Sequence, residues 1–450
     1  METIFFEKLF DLLNSSRIRE LKEQLVEMNV VDIAEFMMEL EGEKQLLVFR
    51  ILPKDLSAEV FAYLDPDIQQ SIVEYSSDKE VGYLVEELYV DDAVDFLEEV
   101  PAGVVKRVLA SASTQTRNVI NKFLQYPADS AGSVMTIEYV ELHDRSTASE
   151  AIQVIRKTGL DKETIYTCYV VDDKLHLVGI LPLRRLLLAD DNALVRDVMS
   201  DDQQIISVHT LEDQETVAGF AKKYDLLSVP VVDNESRLVG IITIDDIVDI
   251  IEAETTEDFE KMAMLQPAEQ EYLKSSVFTL AKNRIVWLLI LMVSATFTGR
   301  IIENFEGMLA VLTGLTACIP MLMDTCGNAG TQSSTLIIRG MAIGEITTRD
   351  YLRVLYKEVR VALLCGGALA VANFIRMLLL GSSGGTPVYF VVSLTVLFSV
   401  VVSKCIGCTL PIVAKAVHLD PAVMSSPLLT TIADAMALGI YFSLAKVFLL

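Results

Sequence analysis

The sequence predicts a multidomain chain: an all-α helical-repeat N-terminal domain, an α/β tandem pair, a connecting helix, and an all-α transmembrane bundle of five helices. Three observations predict it. Charge is split: residues 1–281 hold 55 acidic and 25 basic residues, a net of −30, whereas residues 282–450 hold 8 and 12, a net of +4. An internal repeat at an offset of 61 to 64 residues fills the middle of the chain. Beyond Lys282 come five hydrophobic stretches long enough to cross a bilayer. The expected domains are 1–130, 131–253, a connecting helix at 254–281, and a membrane domain at 282–450.

Apolar residues at three and four spacing dominate residues 1–130. Asp32-Ile-Ala-Glu-Phe-Met-Met-Glu-Leu40 is echoed by Asp92-Ala-Val-Asp-Phe-Leu-Glu-Glu-Val100, which suggests a short stack of helix pairs. Asp91, Asp92 and Asp95 form an acidic edge, with Asp91 and Asp95 one turn apart. No secretory signal is visible at Met1-Glu-Thr-Ile-Phe-Phe-Glu, so the soluble part is expected in the cytosol. The overall charge of −26 argues against nucleic acid as a partner and suits cations.

The repeat pairs Val134-Met135-Thr136 with Val198-Met199-Ser200, and Leu177-Val-Gly-Ile180 with Leu238-Val-Gly-Ile241. Each copy reads as strand, tight turn, strand and helix. The pattern resembles a tandem pair of cystathionine-β-synthase (CBS) domains. The resemblance implies an adenine nucleotide, ATP among them, in the cleft between copies. The ribose-binding Thr-x-x-Asp pattern is present as Thr243-Ile-Asp-Asp246, but the first copy has Pro182-Leu-Arg-Arg185, so at most one standard site is expected, and a nucleotide-free regulatory pair is the other reading.

Asp245, Asp246, Asp249, Glu252, Glu254, Glu257, Asp258 and Glu260 then fall within sixteen residues without a basic residue between them. Like charges one turn apart destabilise a helix by a few tenths of a kcal/mol per pair. Hard divalent cations, bound through oxygen ligands or their waters, would relieve this; an extended solvated linker is the other reading.

The five spans are read as about 284–303, 308–338, 358–380, 387–414 and 423–449, the second interrupted. Arg339, Arg349, Arg353, Lys357 and Arg360 place the loop after the second span in the cytosol, which puts the C-terminus outside. Between Pro421 and Ala445 the sole charged residue is Asp434. An intramembrane acid marks an ion path, a proton relay or a catalytic group. Pro320 to Ser334 is the densest polar patch, its glycines freeing or exposing backbone carbonyls. Either it lines water or its small residues let helices approach closely. Cys405-x-x-Cys408 lacks partner ligands and reads as packing.

At Pro320 to Gln332, with a Gly-Asn-x-Gly-x-Gln core, and at Asp420-Pro421, Ser426-Pro427, Thr430-Thr431 and Asp434, the chain resembles the MgtE family of magnesium channels and transporters. The order of domains matches as well. The resemblance implies a homodimeric Mg²⁺ channel, multi-pass in the bacterial inner membrane, with its N-terminal and CBS domains cytoplasmic. It makes Asp434 the pore's ion-selecting carboxylate, with Gly327, Asn328, Gly330, Gln332, Thr430 and Thr431 lining the pore. Asp91, Asp95, Asp213, Glu215, Asp225, Asp246, Asp249, Glu254, Glu257 and Asp258 correspond to regulatory Mg²⁺ positions, and Asp420 to a loop position that meets the connecting helix. Asp324 and Arg300 depart from the family pattern. The alternatives are a coupled carrier or exchanger of Mg²⁺, Co²⁺ or Mn²⁺, and an intramembrane aspartyl enzyme using Asp324 and Asp434.

Overall fold

The computed structural model describes residues 2–200, 205–266, 272, 275–380, 385–424 and 426–449, and the chain folds as two units, Met1–Ile251 and Glu252–Leu450. In the first unit, polar caps divide the N-terminal residues into short helices. Ser77 accepts the Glu80 N–H while Glu80 accepts the Ser77 N–H, a reciprocal cap. Asn29 and Ser113 cap other starts. The result is α1 (Glu2–Asn14) to α10 (Thr114–Phe123), including α3 (Val30–Met38), α5 (Lys54–Ala62), α7 (Asp78–Glu87), α8 (Val90–Glu99) and α9 (Ala102–Ser111). Alternate helices stack: α3 on α5, α5 on α7, α7 on α9, and α8 on α10. This is the helical repeat that the sequence echo predicts. Phe36, Phe61, Ile72 and Ile120 are fully buried in its core, each contributing about 1.5–3 kcal/mol over an exposed position.

The duplicated segment forms two three-stranded sheets with the same order. In the first, β1 (Glu141–His143) pairs parallel to β2 (Thr167–Val171), which pairs antiparallel to β3 (Leu177–Pro182). Around them lie α11 (Ala148–Thr158), α12 (Leu183–Leu187) and α13 (Val195–Val198). The second repeats this with β4 (Val208–His209), α14 (Gln214–Tyr224), β5 (Ser228–Val232), β6 (Leu238–Thr243) and α15 (Ile244–Met262).

The paired motifs interlock across copies. Thr136 exchanges backbone hydrogen bonds with Ile241 at 2.7 and 2.9 Å, and the Ser200 N–H reaches Ile180 O at 3.0 Å. A Cβ on Gly240 would stand 2.7 Å from Met135 Sδ, and one on Gly179 2.2 Å from Met199 Sδ. The glycine of each Val-Gly-Ile strand therefore makes room for the methionine that opens the other copy.

The helix α15 carries the acidic run but stops at Met262, not near residue 281 as expected. Met264 takes φ 54° and the Leu265 N–H closes on Glu260 O at 2.8 Å, a left-handed stop. Part of the remaining connecting segment lies outside the described residues.

In the second unit follow α16 (Val277–Asn304), α17 (Glu306–Val311), α18 (Ile319–Ala342), α19 (Tyr351–Leu380), α20 (Gly385–Ala416) and α21 (Ser426–Leu449). Four of these, α16, α19, α20 and α21, are long and apolar enough to cross a membrane. The expected span at 308–338 resolves into α17, a 3-10 turn at Thr313–Cys318, and α18. At 24 residues, α18 is about 36 Å long, but its polar face lowers its hydropathy. Pro320 sits in its first turn, where its missing N–H costs nothing. The expectation that this patch frees backbone carbonyls does not hold, because the helix continues through it. Both α18 and α21 pack on α20, and Leu322, Val392, Tyr441 and Phe442 anchor the core.

Candidate functional site

The polar patch sorts by face. Asp324, Asn328, Gln332 and Thr335 are exposed along one side of α18, and the Asn328 amide donates to Asp324 Oδ1 at 3.2 Å. Polar groups at membrane depth must meet water or protein, so this stripe is a candidate water-facing surface. Gly327 and Gly330, expected to line the pore, are instead buried at helix crossings. A Cβ on Gly327 would lie 3.0 Å from Thr430 Cγ2, and one on Gly330 2.5 Å from Ser403 Oγ. The small-residue reading applies to them.

The two helices run antiparallel in a defined register. Cys326 Sγ reaches Ala433 O at 3.4 Å, and Ser334 Oγ reaches Met424 O at 3.3 Å. This register brings Asp324 to the level of Asp434. Asp434 is half-buried on α21. Thr430 and Thr431 are also half-buried, and both hydroxyls donate to Pro427 O, at 2.9 and 3.0 Å. Their lone pairs remain for a path.

A second polar group joins α15 to the turn before α21. Lys261 Nζ lies 2.7 Å from Glu257 Oε1 and 2.8 Å from Asp420 Oδ2. Desolvation works against charge on Lys261, but the bonds to Asp420 and Glu257 outweigh it and hold its pKa above the ordinary range. Asp258 is pushed up by burial, then by Asp420 and Glu257. Asp420 also accepts the Ala422 N–H at 2.8 Å.

The first unit holds the densest acidic region. Burial pushes Asp91 well above its usual range, with Asp92, Asp246 and Glu163 adding to it. Desolvation followed by Asp246 lifts Asp92 to about 6. Asp95, at the surface, is lifted to about 7 by partial desolvation, then Asp92 and Glu98. Glu163 also rises to about 7, by desolvation and then Asp245, and its Oε2 has no hydrogen-bond partner. All these oxygens are hard donors of the kind that suit Mg²⁺. No three Asp, Glu, His or Cys side chains among the described residues converge tightly enough to coordinate a metal directly.

The other expected regulatory residues are dispersed. Asp213 caps α14, accepting the Glu215 N–H at 2.9 Å, while Asp225 ends that helix with φ 52°. The eleven residues of α14 between them hold them about 18 Å apart along the axis. Asp249 adds to the charge that raises Asp246. Glu254 lies on α15 one turn before Glu257 and Asp258.

Thr243 and Asp246, expected at a nucleotide, hydrogen-bond to each other: Thr243 Oγ1 donates to Asp246 Oδ2 at 2.6 Å, and its N–H at 3.2 Å. Beside them is a cavity of about 220 Å³ lined by Glu163, Thr164, Tyr166, Leu227, Thr243 and Asp245. Typical ligand pockets measure about 300–1,000 Å³, so this cavity is smaller than a complete small-molecule site. Sequence reasoning put Asp92 on the acidic edge without naming it a site candidate, and it passed over Glu163 and Lys261. Glu163 sits far from the acidic run in sequence, and a lone lysine after eight acids reads only as a helix end.

The sequence matches family models along most of its length: an MgtE divalent cation transporter domain at 319–444, an MgtE intracellular N domain at 28–129, and CBS domains at 131–192 and 195–253. The magnesium transporter MgtE of Thermus thermophilus is 36% identical over 455 residues, covering 100% of this chain and 99% of that protein. The magnesium transporter MgtE of Bacillus subtilis is 29% identical, covering 98% and 97%. Among solved structures, the cytosolic domain of the Mg²⁺ channel MgtE in complex with ATP superposes with a TM-score of 0.51 at 36% identity, covering 54% of this chain and 99% of that one. The soluble part of a magnesium transporter gives 0.53 at 30% identity, covering 56% and 99%.

Proposed function

The chain belongs to the MgtE family, and on that premise we propose that it is a Mg²⁺ uptake channel closed by cytosolic Mg²⁺. The observation that carries this reading is the level at which Asp434, on the apolar helix α21, meets the polar stripe Asp324–Asn328–Gln332 of α18. Mg²⁺ sheds water reluctantly, so such a surface acts through water-mediated contacts. One Asp434 supplies half the charge of a divalent ion; a two-fold dimer supplies the rest.

Arg349 between α18 and α19, with Arg339 in the last turn of α18 and Arg353, Lys357 and Arg360 in the first turns of α19, supports a cytosolic end there, in a bacterial inner membrane. Gating follows from differential affinity. At high internal Mg²⁺, hydrated ions neutralise the acids around Asp91, Asp95 and Asp246 and favour a closed arrangement. At low Mg²⁺ their repulsion opposes it. ATP is the nucleotide proposed for the cavity beside Thr243. Glu163 and Asp245 in its lining repel a bare triphosphate, so the nucleotide enters with a counter-cation.

The test is ion flux in proteoliposomes of the full chain, with internal Mg²⁺ varied. Asp434→Ala should abolish flux, and internal Mg²⁺ should suppress it in the wild type. Undiminished flux in the variant would remove Asp434 from the path. Flux that requires a second ion gradient would favour a coupled carrier instead.

A further inference from the structure

A buried charge pair in the membrane unit plays no part in the reading above. Lys404 on α20 is 5% exposed, Glu358 on α19 is 9% exposed, and Ser333 on α18 is fully buried. Lys404 Nζ lies 3.3 Å from Ser333 Oγ and 3.9 Å from Glu358 Oε2. The Ser333 hydroxyl in turn donates to that same Glu358 oxygen. One hydroxyl thus accepts from the cation and donates to the anion, a use of both its roles.

The backbone makes this reach possible. A Cβ on Gly407 would stand 2.4 Å from Gly330 O and 3.2 Å from Ser333 Cβ. The close crossing of α18 and α20 seats Ser333 against the turn of α20 that carries Ser403 and Lys404. Ser403 adds a bond to Cys326 O at 2.5 Å.

Burying two charges carries a desolvation penalty of several kcal/mol per ion, and well-packed apolar side chains often hold helices equally well. What an ion pair adds is direction. Here the direction acts on Ser333, the neighbour of Gln332 on the exposed stripe. A helix turns about 100° per residue, so a side chain fixed at 333 fixes where 324, 328 and 332 point.

We propose that Lys404 and Glu358 are positioning residues for the ion path, which grip Ser333 and set the rotation of α18 and hence the choice among divalent cations. The selectivity part rests on the transport reading; the rotational part does not.

The experiment uses the full chain in proteoliposomes and compares Mg²⁺ with Ca²⁺ influx. The neutral double variant Glu358→Gln with Lys404→Met should keep Asp434-dependent flux. Its Mg²⁺ to Ca²⁺ ratio should fall about fivefold, the factor for about 1 kcal/mol between two ions. The exchanged pair, Glu358→Lys with Lys404→Glu, should restore the ratio. A wild-type ratio in the neutral variant would overturn the proposal. Should that variant fail to fold, Ser333→Ala keeps both charges and decides in its place: a fallen ratio supports the grip and an unchanged one overturns it. A readout independent of transport is the labelling rate of Gln332→Cys by a charged thiol reagent, located by mass spectrometry. It should slow in the neutral background, and an unchanged rate overturns the rotational claim even if the chain moves no ions.

Discussion

Lys261 places its ammonium 2.8 Å from Asp420 and 2.7 Å from Glu257, so the end of the acidic helix carries its own cation to the turn that precedes α21. A partly exposed ion pair is worth about 0.2–1 kcal/mol. Lys261→Met should therefore raise the internal Mg²⁺ needed for half-closure by about 1.4- to 5-fold. Flux against internal Mg²⁺ checks this; an unchanged midpoint would show that the clamp does not contribute to closure.

Asp324 stands at the level of Asp434 because α18 and α21 pack antiparallel in one register. Asp324→Asn should leave flux in place while weakening its half-saturation for Mg²⁺ about three- to tenfold, as expected for loss of about 0.7–1.4 kcal/mol of attraction. Concentration dependence of influx reads this out, and equal half-saturation would show that Asp324 does not act on the ion.

The acids around α8 make an opposite demand on pH from that of paired carboxylates. Asp92 at about 6 and Asp95 and Glu163 at about 7 bind protons more tightly than their unfolded counterparts. Their stabilising effect is complete below about pH 4 and is lost as pH rises through 6 to 7. Hydrogen exchange of residues 90–99 in the full chain, corrected for intrinsic rates, should quicken from pH 5 to pH 8 in chelator and slow again with Mg²⁺. Protection that ignores both variables would contradict the electrostatic account.

Thr243 ends β6 and opens α15, and its pairing with Asp246 satisfies the start of that helix. Thr243→Ala should lower stability by about 0.5–2 kcal/mol and weaken ATP binding measured by calorimetry. Stability lost with ATP affinity intact would confine the residue to capping.

The charge split, the long apolar stretches and the internal periodicity together made the layout legible. The repeat of Val-Met and Val-Gly-Ile marked the paired sheets, and the echo of residues 32–40 at 92–100 marked the stacked helices. Asp434 stood out because nothing else charged surrounds it. Glycine roles were not legible: Gly327 and Gly330 look the same beside water or under Thr430 and Ser403 until the crossing is seen. Lys404 had no account in the sequence because both its partners, Ser333 and Glu358, sit on other helices. The stop at Met262 depends on a left-handed residue that is not a glycine, a conformation that composition does not announce.

The exchange of Met135 onto Gly240 and of Met199 onto Gly179 has a further result. Neither repeat can be lifted out whole, since each closes over a piece of its twin. A chain cut between them would strand two open sheets, each missing an edge and a plug. The tandem is therefore expected to melt as one cooperative body rather than as two.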